Sequence, residues 1–176
     1  MKKLIFKLFL VSIIININAN DKDMINKAIS LNNNSKEEIA LYLKAIETNP
    51  KNDIAYYNLG CIYFDNKDYK NAIIYFQKSL SIKKDPDYYY NLALSFYYLK
   101  DDVEAIKALK ELLKIKPKDY EAGYFLSYIY SLTDNINAKN QARFILKSIL
   151  TSREIQLYEV DFIEKVKKLY KDLGGE

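Results

Sequence analysis

Seventeen of the 176 residues are tyrosine and none is histidine. The stretch YYNLGCIYF (56–64) is echoed at 89–97 by YYNLALSFY. Tyrosine combines broad contact area, a hydroxyl that donates and accepts, and little rotamer entropy, so a stripe of it suits partner recognition. The same stripe can also serve to pack one helix on another. Around it the catalytic toolkit is thin. Without histidine, the usual general base near neutral pH and the commonest metal ligand are missing. Ser-His or Cys-His catalysis is impossible within such a chain. Cys61 is the single cysteine, which excludes an internal disulfide and the familiar zinc frameworks. It reads as a small hydrophobe in a helix, or as a thiol free to pair with a partner. Paired acids such as Asp101-Asp102 belong to a helix start, and there is no glycine-rich phosphate loop. The expectation is a chain with no catalytic residues, no metal and no cofactor, acting by binding.

The elements that hold these residues repeat. Tyr56, Leu59, Gly60 and Tyr63 follow the i, i+3, i+4, i+7 spacing of one helical face, and Ala72, Ile73, Phe76 and Leu80 resume it. Tyr56 corresponds to Tyr89, Leu59 to Leu92, Gly60 to Ala93, Ala72 to Ala105 and Phe76 to Leu109. A third copy places Leu126, Ser127 and Tyr130 in the same order, so the leucines recur after 33 and then 34 residues. Asp68 and Asp85-Pro86 carry helix-start chemistry. Ser35 to Glu38, Asp101 to Glu104 and Thr151 to Glu154 have capping-box spacing. Gly60, Ala93 and Ser127 mark where two helices must approach closely, since glycine inside a helix costs about 1 kcal/mol against alanine.

Paired helices, this period, and the order Y-x-x-L-G-x-x-Y followed by A-x-x-x-F resemble the tetratricopeptide repeat. The resemblance implies an all-α fold, a right-handed α-solenoid of helix-turn-helix repeats with a C-terminal capping helix. Its boundaries would be a partial repeat at 20–52, full repeats at 53–85 and 86–119, and a third at 120–150. The second helix of that third repeat is displaced, because Ala142, Leu146 and Ile149 fit only with about three extra residues before them. Residues 151–176 would form the capping helix, with Ile155, Tyr158, Phe162, Val166, Leu169 and Leu173 as its stripe.

In such arrays the first helices line a concave groove that receives a peptide or a partner helix. Carried over position by position, the groove residues are Tyr57, Cys61 and Phe64, then Tyr90, Leu94, Tyr97 and Tyr98, then Tyr124 and Tyr128. Tyr57, Tyr90 and Tyr124 hold one place in successive repeats and would form a ladder. Repeats that capture a C-terminal carboxylate present lysine and arginine there, whereas this chain has acids at Asp87 and Glu121. The implied partner is a protein or peptide with an apolar or mildly basic segment.

The N-terminus bears on location. MKK precedes the apolar run LFLVSIII (8–15), followed by a polar stretch with Ala19 as the candidate cleavage residue. The run is short of the roughly 20 apolar residues of a membrane span. Residues 1–19 are therefore expected to be a bacterial export signal, giving a periplasmic or secreted protein with no stable membrane span after cleavage. Loss of Lys2, Lys3 and Lys7 would lower the net charge from +4 to +1, leaving no basic footprint for nucleic acid. The function expected from this reading is an interaction scaffold. The alternative is an accessory subunit of an outer-membrane or secretion assembly machine, acting through its convex face and C-terminal helix.

Overall fold

A computed structural model describes residues 20–176, so the expected export signal at 1–19 lies outside the described residues. Every regular element among them is helical. In order these are α1 (20–31), α2 (Lys36–Thr48), α3 (Asp53–Asp65), α4 (Tyr69–Ile82), α5 (Pro86–Tyr98) and α6 (Asp102–Ile115). After them come α7 (Tyr120–Ser131), α8 (Ile136–Thr151), a 3-10 turn (Arg153–Leu157) and α9 (Val160–Asp172). This is an all-α helical repeat fold.

Local chemistry sets the helix starts. Ser35 Oγ accepts from the Glu38 N–H at 3.1 Å, and the Glu38 carboxylate returns to the N–H groups of Asn33 and Asn34 at 2.9 Å each. Asn52, Asp68, Asp101, Asp119 and Asn135 each accept a backbone N–H at the next helix start. Such a cap stabilises a helix by about 1 kcal/mol. Two turns share one stop signal: Lys67 and Lys100 are left-handed, with φ 61° and 64°. At the first, the N–H groups of Lys67 and Asp68 donate back to Phe64 O and Tyr63 O at 2.8 and 2.9 Å. The second repeats this with Lys100 and Asp101 on Tyr97 O and Phe96 O, at 2.9 Å each. That pattern closes the helix carbonyls at a place where glycine is the usual occupant.

The chain forms two compact units, one running to Ser95 and the other covering Phe96–Glu176. In the first, Met24, Ile25 and Ala28 of α1, Tyr42 and Ala45 of α2, and Ala55, Leu59 and Ile62 of α3 share one core. The segment expected as a partial repeat thus supplies two helices. α3 and α4 meet with Tyr63 stacked on Tyr75, ring centroids 5.2 Å apart. Gly60 makes room for the Phe76 ring: a Cβ there would lie 2.5 Å from it.

The second unit gathers Tyr120, Leu146, Ile149, Ile155 and Val166 into its own core. Ala142, Leu146 and Ile149 are all buried, although Ala142 follows Ser127 by fifteen residues where Ala72 follows Gly60 by twelve. An added turn at the start of α8 takes up the difference: Ala142 is its seventh residue, whereas Ala72 is the fourth of α4. The C-terminal region differs from one continuous helix. Thr151 ends α8, its hydroxyl donating to Lys147 O at 2.9 Å, so it opens no helix. Ser152 instead accepts from the Glu154 N–H at 3.3 Å and starts the 3-10 turn. Glu154 is held by Lys118 Nζ at 2.6 Å and by the Tyr120 hydroxyl at 3.1 Å, which pins that turn to the start of α7. Tyr158 is extended, and α9 begins only at Val160.

Candidate interaction surface

In the first unit the aromatic residues of α3 and α5 are organised by hydrogen bonds. The Tyr57 ring stacks on Tyr88 at 4.4 Å with planes 25° apart. Its hydroxyl accepts from Asn91 Nδ2 at 2.7 Å and faces the Cys61 thiol. Tyr88 in turn donates to Asp53 Oδ2 at 2.7 Å, so the two tyrosines are fixed at both ends of the stack. Burial, then the neighbouring Cys61, raises the Tyr57 hydroxyl above its usual range, while the Asn91 hydrogen bond opposes this. Cys61 is pushed up to about 11, by burial first, against the Tyr57 hydrogen bond. At neutral pH it is therefore a protonated and poorly nucleophilic thiol. Phe64 meets Tyr69 edge-on at 5.4 Å. Tyr57, Cys61, Phe64, Tyr90 and Leu94 are all half-buried, whereas Leu59, Gly60, Leu92 and Ala93 are buried.

A separate cluster lies in the second unit. Tyr97 contacts Phe125 at 5.4 Å, Tyr98 at 5.9 Å and Tyr128 at 6.2 Å, all edge-to-face. The Tyr97 hydroxyl is pushed up to about 12, by its hydrogen bond to Tyr128 first and burial second. Tyr98 is exposed and Tyr128 half-buried. Tyr124 feels the neighbouring Tyr128 and lies edge-on to Phe162 of α9 at 5.8 Å. Of the nine expected groove residues, Tyr57 thus meets Cys61, Phe64 meets Tyr69, Tyr97 meets Tyr98 and Tyr128, and Tyr124 meets Phe162.

Tyr88 and Asp53 were not among the expected site residues. The run Tyr88-Tyr89-Tyr90 held the signal, because three consecutive residues on a helix cannot share one face. Among the described residues, no group of three Cys, Asp or Glu side chains is placed to hold a metal ion. No helix among them is long and apolar enough to cross a membrane.

Residues 54–86 and 86–119 each match the tetratricopeptide repeat family. Residues 54–119 are thus similar to two consecutive tetratricopeptide repeats. No curated protein matches the chain. Among solved structures, a tetratricopeptide repeat protein from Parabacteroides merdae is similar with a TM-score of 0.74 at 18% identity, over 89% of this chain and 60% of that one. A MamA structure gives a TM-score of 0.61 at 19% identity, over 89% and 90%. The O-GlcNAc transferase of Thermobaculum terrenum gives 0.61 at 16% identity over 76% of this chain, which spans only 27% of that enzyme. At these identities the likeness is one of fold.

Proposed function

We propose that the protein is an exported interaction scaffold that binds a peptide or helical segment of another protein through the tyrosine-bearing first helices of its tetratricopeptide repeats. The observation that carries this is the pinned Tyr57–Tyr88 stack, tied to Asp53 and Asn91 at 2.7 Å each. Side chains already held in place lose little freedom on binding, so more of the contact energy remains as affinity. Tyr88 is buried, with its hydroxyl proton committed to Asp53, and it holds the half-buried Tyr57 ring that a partner would meet. The partner segment is apolar or mildly basic, matching the acids Asp87 and Glu121 beside the tyrosines. Export rests on residues 1–19 and places the protein in a bacterial periplasm or outside the cell. No catalytic step is assigned to it.

The second reading, an accessory subunit of an outer-membrane or secretion assembly machine, draws on a different surface. Phe144 is 76% exposed, Leu157 86% and Val160 74%, all on α8, the 3-10 turn and α9. Photo-crosslinking residues at Tyr90 and at Leu157 separate the two in cells. The scaffold reading expects adducts from position 90, and adducts confined to position 157 would reject it. Mass spectrometry of the mature N-terminus tests export, with Asn20 expected as the first residue.

A further inference from the structure

We propose that the cavity between the α1–α2 turn and α3 is a subsite for a guanidinium group, the end of an arginine on the bound partner segment. The proposal rests on the scaffold reading and specifies its partner. The cavity, of about 290 Å³, is bordered by Ile29, Asn34, Glu38, Tyr42, Cys61 and Asp65. Its frame is the turn residue Asn34, held left-handed at φ 55°. The Asn34 backbone N–H donates to Glu38 Oε2 at 2.9 Å, and its side-chain amide to Asp65 Oδ2 at 3.3 Å. One residue thus draws a carboxylate of α2 and a carboxylate of α3 to the same opening. Asn34 and Asp65 are exposed at the rim, while Glu38 and Tyr42 form the floor at 4% and 2% exposure.

The floor is short of donors. Both hydrogen bonds to the Glu38 carboxylate fall on Oε2, and none among the described residues falls on Oε1. The Tyr42 hydroxyl, beside Glu38 and Cys61, also makes no hydrogen bond among them. Neither atom is sealed. Among the described residues, the side-chain oxygen that is both unpartnered and shut off is Asp21 Oδ1, whose Oδ2 accepts from Asn49 and Asn52 at 2.8 and 2.7 Å. Glu38 Oε1 and Tyr42 Oη therefore keep accessible surface, and the cavity they border is where it opens.

Two carboxylates and no lysine or arginine among the described residues border the cavity, which repels an anion and favours a cation. Asp65 is also the last residue of α3, whose final turn carries no basic residue, so the helix dipole adds to that preference. The α-ammonium expected at Asn20 lies at the opposite end of α1 and leaves the site open. A guanidinium suits the site better than an ammonium. Its planar fork of five donors can serve Asp65 at the rim together with Glu38 and Tyr42 below, and its weaker hydration eases entry. The alkyl stem would then cover Ile29, which is 50% exposed.

The probe is n-propylguanidinium chloride, titrated into the isotopically labelled full-length protein at constant ionic strength. NMR follows the side-chain amide of Asn34 and the ring of Tyr42. Saturable shifts are expected, with neutral n-propylurea inactive and n-propylammonium bound more weakly. The dissociation constant should weaken about tenfold in D65N and about threefold or more in Tyr42→Phe. Asp65 is exposed and Tyr42→Phe keeps the buried ring, so both variants are expected to fold. A linear response, an equal response to propylurea, or propylammonium binding as tightly would overturn the proposal. Unchanged binding in either variant would do so too, since loss in D65N alone marks a surface ion pair. Crosslinking from position 90 without propylguanidinium binding would remove the subsite and leave the scaffold. Propylguanidinium binding without any such crosslink would reject the scaffold, and with it the partner segment as the source of the guanidinium.

Discussion

The hairpins α3–α4 and α7–α8 solve one packing problem in two ways. In the first, the helices approach until Gly60 lies against the Phe76 ring, and a left-handed Lys67 turns the chain sharply. In the second, Ser127 stands at the glycine position, its hydroxyl donating to Gly123 O at 2.8 Å within its own helix. Leu146 replaces the phenylalanine, and α8 carries the added turn. Both hairpins bury the same three-residue pattern, Ala72, Phe76 and Ser79 or Ala142, Leu146 and Ile149. What differs is the spacing that delivers it. A match to a repeat family depends on spacing as well as pattern, and the matched region ends at 119, before the hairpin in which it changes.

The glycines give the strongest way to break this comparison. Gly60→Ala is expected to destabilise by about 1–3 kcal/mol through overpacking, and Gly60→Leu to lose the folded state. Gly123→Ala should be neutral or stabilising by up to about 1 kcal/mol, because the nearest atoms to its Cβ would be the side-chain ends Ile149 Cδ1 at 3.3 Å and Ile145 Cγ2 at 3.4 Å. Urea unfolding of both variants checks the contrast, and equal losses would erase it.

Alkali should act next, and first on the first unit. Tyr42 is pushed up to about 12 and Cys61 to about 11, from ordinary values of 10.0 and 9.0, with burial the leading cause for each. The unfolded chain loses these protons before the native one does. Stability from these groups is thus complete below pH 9 and declines as the pH rises towards 12. The urea midpoint is expected to hold up to pH 9 and then fall towards pH 12, and a flat profile would contradict the assignment.

Smaller effects sharpen the contrast. Tyr88→Phe removes one hydrogen bond to Asp53 and should cost about 1 kcal/mol. Tyr120→Phe should instead loosen the 3-10 turn locally, since Glu154 keeps its Lys118 contact; hydrogen exchange at residues 153–158 reads this. Lys67→Gly relieves a left-handed residue and should stabilise by about 1 kcal/mol. Leu132 in the α7–α8 turn is right-handed at φ −75°, so Leu132→Gly should have the opposite sign.

The repeat core was legible because burial at Leu59, Leu92 and Leu126 is a periodic demand, and periodicity is visible in a sequence. Gly60 was legible for a related reason, as a residue that a helix tolerates only under steric pressure. The break at Tyr158 was not. Ile155, Tyr158 and Phe162 keep helical spacing, and only the hydrogen bonds of Ser152 and Glu154 reveal that the chain is pinned there. The Tyr57–Tyr88 stack escaped the position-by-position reading because Tyr88 holds the place of Ala55, a position that carries no aromatic in the preceding repeat. Asp21 left no trace at all, since its partners Asn49 and Asn52 lie 28 and 31 residues away and read as ordinary turn residues.

The helix α9 lies over Tyr120, Leu146 and Ile149, with Val166 sealed beneath it. For anyone building with this chain, Ser152 rather than Glu176 is the joint. Modules fused after Glu176 would find the stacking face of α8 already taken. Modules spliced in at Ser152, ahead of α9, would inherit that face and could pass the terminating helix along to their own far end. The length of the array is then an adjustable quantity, fixed by where the last thirteen-residue helix is placed.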